Sequence, residues 1–286
     1  MRPQGLPDAR TISLTSLSLV AFASNSILTR LALAPHLIDA GTFTCVRLLS
    51  GAIALTIMLG LRERKLGALR LRWSSALALF AYAAPFSFAY LRITAGTGAL
   101  ILFGAVQATM IGWDLFQGKR FNSTELIGLF LAVAGLVILT LPGTEAPDLP
   151  GAALMLIAGV AWGVYSLLGV RVPDPLRATA SNFTFSLVCA VPLAAVTVAD
   201  WNVSSHGLIL ALVSGALASG VGYAVWYTAL RGLSSTQAGI VQLLVPVLAA
   251  LGGVVVLDET ITLRLVVSGA MIFAGVALSI VEFGRR

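Results

Sequence analysis

The chain has 286 residues, of which 58% are hydrophobic and only 10% charged, and its formal net charge is +6. A soluble globule of this size cannot bury so much apolar surface, so the composition excludes an ordinary soluble protein and favours a chain solvated by lipid. The two cysteines, Cys45 and Cys189, lie in apolar runs without metal-ligand spacing, which disfavours a disulfide framework or a zinc site.

Apolar segments of about twenty residues recur along the chain, and a helix of that length spans a hydrocarbon core of roughly 30 Å. We predict ten such spans, at residues 11–33, 39–60, 73–91, 97–117, 125–141, 150–169, 178–199, 207–229, 236–256 and 264–282. The first is long, contains Arg30 and lacks a cleavage site of small residues, so we expect it to remain as a helix rather than be removed as a signal peptide. The sequence therefore predicts an all-α integral membrane protein with ten transmembrane helices.

The positive charges predict an orientation. If the N-terminus lies inside the cell, fourteen of the eighteen Lys and Arg residues fall in cytoplasmic segments, whereas the outer segment PGTEAPDLP has no cation. Short loops rich in Lys and Arg stay cytoplasmic, so we expect both termini to face the cytoplasm. The basic net charge then reflects topology, and a nucleic-acid partner is not expected.

The two halves of the chain resemble each other. The stretch VAFASNSIL at 20–28 returns as VAWGVYSLL at 160–168, and the same shift of 140 residues gives matching residues in all five spans of each half. Because five is an odd number, the second copy has to enter the membrane upside down relative to the first. We predict two inverted five-helix repeats around a central cavity, at 1–141 and 150–286, joined by an acidic outer linker at 142–149.

An inverted repeat favours a transporter, because the two halves can exchange conformations and open one cavity to either side in turn. Duplication also builds stable bundles, so a pore, a lipid scramblase and a membrane enzyme remain alternatives. Catalytic motifs do not support the enzyme: Gly118-Lys119 lacks the rest of a phosphate-binding loop, and His36 and His206 are far apart without a metal motif. We expect no catalytic residues, no cofactor and no metal site.

The closing stretch, RGLSSTQAGIVQLLVPVLAALGGVVVLDETITLRLVVSGAMIFAGVALSI, resembles EamA-type members of the drug/metabolite transporter superfamily. The residues that carry the resemblance are Pro246 in the ninth span, Glu259 at its end, Gly269 and Gly275 in the last span and Arg47 in the second. A frequent Trp-Gly pair of the family is Phe22-Ala23 in the first half and is retained as Trp162-Gly163 in the second. The resemblance covers essentially the whole chain.

The resemblance implies an exporter of small metabolites in a bacterial inner membrane, most similar to exporters of aromatic and other neutral amino acids. It also implies a central cavity between helices 1, 3, 4, 6, 8 and 9, with helices 5 and 10 at the periphery. The implied partners are a small-molecule substrate and the lipid bilayer, and a monomer is compatible with this arrangement.

Aromatic side chains at helical spacing are the first candidates for the cavity wall. They are Phe22 with Asn25, their counterparts Trp162 with Tyr165, then Tyr82, Phe86 and Tyr90 on the third span, and Trp226 on the eighth. Such rings suit apolar or planar cargo and also hold cations. The alternative is that they pack helices or form an interfacial belt.

Polar residues inside the spans need partners, which makes Gln107, Gln242 and Asn25 candidates for cargo contact or for ties between helices. Arg30, Arg47 and Asp114 lie nearer the span ends, where they can snorkel or form local pairs. No acidic residue is assigned to midmembrane depth, so proton coupling and facilitated diffusion both remain open.

Small residues and prolines mark candidate moving parts. Gly159 and Gly163 on the sixth span permit close helix approach, as do Gly215, Ser219 and Gly222 on the eighth. Pro85, Pro192 and Pro246 interrupt backbone hydrogen bonding within predicted spans. Pro85, Gly163 and Pro246 are our hinge or gating candidates.

Overall fold

A computed structural model describes residues 8–63, 69–118, 123–141, 146–169, 172–233 and 241–283. These residues form ten helices, connected largely by short segments. They are α1 (Ala9–Leu33), α2 (Ala40–Arg62), α3 (Trp73–Ala89), α4 (Ala95–Phe116), α5 (Ser123–Thr140), α6 (Leu149–Gly169), α7 (Pro175–Val196), α8 (Ser205–Ala229), α9 (Leu244–Leu257) and α10 (Leu263–Phe283). Short 3₁₀ turns follow α7 at Val198–Asp200 and α8 at Leu230–Gly232.

The helices confirm an all-α membrane protein. Nine of them begin and end within three residues of the predicted spans. Two predicted stretches fall outside the described residues, namely the start of the ninth span at 236–240 and residues 142–145 of the linker. By length and composition, α1, α2, α4, α6, α7 and α8 can each cross a membrane, and α5, α9 and α10 contain shorter apolar helices.

Aspartate and serine side chains start several helices. Carboxylate oxygens of Asp8, Asp39, Asp148 and Asp174, and the hydroxyl of Ser204, accept hydrogen bonds from backbone N–H groups three residues further on. Such caps satisfy orphan amides, and a negative charge favours the positive end of the helix dipole. The chain thus places these acidic residues at helix ends, while the spans between them stay apolar.

Six helices form the centre of the bundle and four surround it. In the centre, α6 packs on α3 and α4, and α1 packs on α8 and α9; α4 and α9 also contact each other. On the flanks α2 packs on α7, while α5 and α10 pack mainly on each other. The centre of the bundle is therefore formed by α1, α3, α4, α6, α8 and α9, the six helices that the family resemblance implies.

Two of the three prolines lie inside helices as predicted, and the third lies near a helix start. Pro85 and Pro192 lie inside α3 and α7, but Pro246 is the third residue of α9 rather than a mid-span residue. Helix at 241–242 is broken by a turn at Leu243 before α9 starts. A proline ring clashes with the carbonyl four residues earlier, so Pro246 explains why the helix is interrupted there.

Glycines on α6 let it approach α4 closely, as the spacing predicts. A Cβ atom built on Gly159 lies 2.6 Å from the carbonyl oxygen of Leu102, and one built on Gly163 lies 2.8 Å from Cβ of Thr109. Neither distance is compatible with a side chain unless the helices separate. The Gly159–Gly163 pair therefore sets the spacing between α4 and α6.

We expect Gly159→Ala to destabilise the folded protein by about 1–3 kcal/mol, because the added methyl group overpacks the α4–α6 contact. Gly112→Ala on α4 is the matched control, since a Cβ atom there meets nothing within 4 Å. Thermal unfolding in detergent measures both variants. A midpoint for Gly159→Ala equal to that of Gly112→Ala would contradict this account.

Candidate functional site

Six buried aromatic residues meet at the centre of the bundle, and we call them the aromatic chamber. They are Phe22, Tyr82, Phe86, Trp162, Tyr223 and Trp226. The ring of Trp162 lies 4.8 Å from each of the rings of Tyr82 and Tyr223, measured between centroids. Phe22 on α1 lies 5.7 Å from Trp226 and 6.3 Å from Trp162, so the repeat-related pair Phe22 and Trp162 does meet.

A small cavity with a volume of about 20 Å³ lies within the aromatic chamber. Asn25 and Ser26 on α1 add polar groups to its wall, and Leu102 and Phe103 on α4 add apolar ones. The rings contact one another across this space, so a bound solute would have to displace rings from their present positions. The structure therefore shows the chamber in a contracted state.

A polar network forms one wall of the chamber. Ser214 donates a hydrogen bond to Oδ1 of Asn25 at 2.6 Å, and Ser219 Oγ lies 3.5 Å from the same oxygen. Nδ2 of Asn25 donates to the Tyr82 hydroxyl at 3.4 Å. Ser214 and Ser219 belong to a π-helical segment of α8, Ser214–Val221. Because π-helices repeat at five residues rather than four, both hydroxyls face α1.

Arg47 is the charged member of this network. Its Nη2 group donates to the Tyr82 hydroxyl at 2.9 Å and its Nε to Ser219 at 3.1 Å. The guanidinium carbon lies 4.8 Å from the centroid of Phe86. Our expectation that Arg47 could snorkel is wrong, because only 1% of the residue is exposed. The side chain turns inward, where Tyr82 on α3 and Ser219 on α8 supply hydrogen-bond acceptors.

The remaining predicted site residues lie around the chamber. Tyr90 lies just beyond the chamber, at the end nearest the start of α4. Its ring centroid is 4.8 Å from that of Phe86. Tyr165 lies toward the opposite end, where Nδ2 of Asn182 donates to its hydroxyl at 3.3 Å beside a second cavity. Gln107 and Gln242 are buried but do not line the central cavity. Roles in binding remain predictions for all of these residues.

Several wall residues were absent from our sequence-based set: Arg47, Tyr223, Ser214 and Ser219. Tyr223 was detectable, because it lies three residues before Trp226 and shares its helix face. The serines were not detectable as a pair, since a spacing of five residues does not fall on one face of an α-helix. The side chain of Asp114 lies outside the described part of the chain.

One end of the bundle is closed by what we call the Glu259 latch. Both carboxylate oxygens of Glu259 accept hydrogen bonds from the N–H of Ala95 at the start of α4, at 3.1 and 2.8 Å. Arg30 at the end of α1 donates from Nε to the same carboxylate at 3.3 Å and from Nη1 to the Tyr90 carbonyl at 2.8 Å. A left-handed residue, Asp258 with φ of 54°, turns the chain so that Glu259 reaches back.

An ion cluster joins α2 to α7 at the opposite end. Arg62 donates from Nη1 to Asp174 at 3.0 Å and from Nη2 to Glu63 at 2.8 Å, and Arg177 pairs with Glu63. The Arg62 guanidinium lowers the pKa of the Asp174 carboxyl from its usual value. These side chains are more exposed than the Glu259 latch, so each pair contributes little individually.

Comparison with known proteins shows what this chain is similar to. A model of the EamA-like transporter family matches residues 149–281. A solved crystal structure superposes with a TM-score of 0.64 over 92% of this chain and 98% of that one, and at 20% identity this likeness concerns the fold alone.

The relatives identify the family. The uncharacterized protein PA1977 of Pseudomonas aeruginosa is 50% identical over 273 residues, which are 96% of this chain and 95% of that protein. The threonine/homoserine exporter RhtA of Escherichia coli K12 is 32% identical over 170 residues, about half of each chain at 56% and 55%. The chain is a membrane transporter. It belongs to the EamA-type drug/metabolite transporter superfamily, which confirms the resemblance seen in the sequence.

We expect opening at the Glu259 latch to depend on pH. Burial raises the pKa of the Glu259 carboxyl above its usual value, and the Ala95 N–H and the charge of Arg30 offset only part of this effect. Opening would expose the carboxyl to water and return its pKa to the usual range. The closed state therefore binds the proton more tightly, and we expect this end to open more often as pH rises through the raised pKa.

The measurement is alkylation of Ser26→Cys, at a buried position one turn before Arg30, in a background with Cys45 and Cys189 replaced by alanine. Glu259→Gln in the same background is the control, because its amide does not titrate and it reports the pH dependence of the thiol alone. The alkylation rate with Glu259 present, divided by the rate with Glu259→Gln, should rise with pH. An identical pH profile in both variants would show that Glu259 does not control opening.

Proposed function

We propose that this protein exports small metabolites, aromatic and other neutral amino acids or related small drugs, by alternating access. In this proposal ten transmembrane helices form two inverted repeats, at 1–141 and 150–286, in the inner membrane of a bacterium with both termini cytoplasmic. The observation that carries the proposal is an aromatic chamber at the centre of the bundle, between a latch at one end and an ion cluster at the other. The cargo crosses unchanged and no cofactor takes part.

The packing of the helices supports an inverted repeat. The first residues of α1 and α6, Ala9 and Leu149, are 140 residues apart. The same separation holds for α5 and α10, which start at Ser123 and Leu263. If the two halves are exchanged, each helix takes the place of the helix five positions away in the chain. The α3–α6 contact then becomes α8–α1 and the α4–α6 contact becomes α9–α1, and all four contacts are present. The α2–α7 and α5–α10 contacts convert into themselves. A twofold relation between the halves accounts for this pattern.

The chamber supports apolar or planar cargo. Flat rings bury large contact areas and interact with other rings in offset or edge-on arrangements. Phe22, Tyr82, Phe86, Trp162 and Trp226 would supply this surface, and Asn25 would supply hydrogen bonds. Tyr90, Tyr165, Gln107 and Gln242 would meet the cargo on its way in or out.

The two closed ends support alternating access. The Glu259 latch joins α1 and α4 of the first half to α9 of the second, and the ion cluster joins α2 to α7. Each closure therefore crosses from one half to the other. Rocking the halves would break one closure while keeping the other, with Pro85, Gly163 and Pro246 as candidate hinges.

Transport by purified protein in liposomes tests the proposal. We expect labelled phenylalanine or threonine to enter protein-containing vesicles faster than empty ones, with saturation and with competition by unlabelled amino acid. Non-saturable ion current or lipid flip without solute competition would favour a pore or a scramblase instead. Failure of a panel of amino acids and other small metabolites to cross would reject the carrier.

Trp162→Ala should raise the half-saturation concentration for aromatic amino acids by about tenfold, since one aromatic contact in the wall is lost. We expect Gln242→Ala to change selectivity more than folded yield. Trp201→Ala is the matched control, because Trp201 is 72% exposed in the connection before α8. Equal loss of transport for every substrate, together with collapse in detergent, would show that Trp162 and Gln242 only pack helices.

A further inference from the structure

Arg47 carries a charge that the described residues do not neutralise. The groups it contacts are the hydroxyls of Tyr82 and Ser219 and the faces of Tyr82 and Phe86. Its Nη1 group is buried without a hydrogen-bond partner. The Tyr223 hydroxyl lies near the guanidinium, but outside hydrogen-bonding geometry with Nη1. Every one of these partners is neutral.

Burial of an unpaired charge is costly, and neutral hydroxyls return only part of the lost hydration. An arginine in a protein cannot lower this cost by losing its proton, because its guanidinium is always charged. No ion pair joins Arg47 to an acidic residue of the described chain; Glu259 pairs at the latch, and Glu63 and Asp174 pair in the ion cluster. A counter-charge from outside the described chain would lower this cost.

The position of Arg47 makes the cargo the natural source of that counter-charge. Tyr82 and Phe86, on which the guanidinium stacks, both line the central cavity, and Tyr82 also receives its Nη2 hydrogen bond. A small movement of the Tyr82 hydroxyl would free Nη2 beside the unpaired Nη1. Two neighbouring N–H donors on a planar guanidinium match the two oxygens of a carboxylate.

We propose that Arg47 binds the carboxylate of the cargo, so that this transporter selects carboxylate-bearing solutes and rejects their amides and amines. The inference rests on the proposed carrier function and adds the chemical group that the site recognises. The aromatic chamber then holds the apolar part of the solute, and Asn25 with Ser214 and Ser219 lines the polar side. A structural tie between α2, α3 and α8 is the competing role for Arg47.

Binding to the wild-type protein in detergent tests the proposal without any variant. Tryptophan fluorescence or calorimetry is recorded with phenylalanine, 3-phenylpropionate, phenylalaninamide and phenethylamine. We expect phenylalanine and 3-phenylpropionate, which keep the carboxylate, to bind at least about tenfold more tightly than the other two, since a charge-assisted hydrogen bond is worth that much. Equal binding of phenylalanine and phenylalaninamide overturns the proposal. Binding of chloride without binding of either carboxylate probe overturns it as well.

Variants separate recognition from structure. In Arg47→Gln the preference for phenylalanine over phenylalaninamide should disappear, while Arg47→Lys should keep part of it, because a lysine retains the charge but not the paired donors. Arg92→Gln is the matched control: this arginine lies in the exposed connection between α3 and α4, and the preference should stay unchanged. Equal loss of affinity for all four probes in Arg47→Gln would assign Arg47 a structural role and contradict the proposal.

Liposome transport distinguishes failure of the carrier function from failure of the carboxylate site. Saturable transport of phenylalanine and phenylalaninamide at the same rate would leave the carrier function standing and reject the carboxylate site. Preferential binding of carboxylates without any transport would support the site and reject the carrier.

Discussion

The burial of one guanidinium among aromatic rings is the constraint on which the centre of this protein depends. Arg47 is nearly inaccessible, yet it keeps its charge, so its surroundings have to provide hydrogen-bond acceptors and ring faces. Tyr82 from α3 and Ser219 from α8 provide the acceptors. From its place on α2 the side chain thereby contacts α3 and α8, beside the aromatic chamber.

The irregular part of α8 packs against the same arginine. The π-helical segment Ser214–Val221 presents two hydroxyls on one side of the helix, and both lie within reach of Asn25. Gly215 in that segment lies directly against the backbone of Arg47, where a Cβ atom would be 2.2 Å from its carbonyl oxygen. Close approach and the π-helical repeat therefore combine to bring α8 onto α2 and α1.

The closures at the two ends differ in how much water they exclude. Glu259 is mostly buried and binds a helix N-terminus, whereas Arg62, Glu63 and Asp174 are partly exposed. Buried charges respond strongly to loss of a partner, while exposed pairs are screened and contribute little. Opening the Glu259 latch thus changes the electrostatic energy more than opening the ion cluster does.

The sequence by itself determined the membrane class, the helices and the family. Apolar runs of span length have few ways to satisfy their backbone in lipid except as helices, so the ends of α1 or α6 could be placed within a few residues. The spacing of Gly159 and Gly163 determined their role in close packing. The repeat placed Phe22 and Trp162 in equivalent positions, and their rings do meet.

Only the tertiary structure decided where the charges and the irregular segments go. Arg47 near one end of an apolar run can turn toward water or toward the protein, and the choice depends on acceptors contributed by α3 and α8, far away in the sequence. Ser214 and Ser219 share a face only because α8 becomes π-helical between them. Periodicity describes one helix at a time, whereas these positions result from packing between helices.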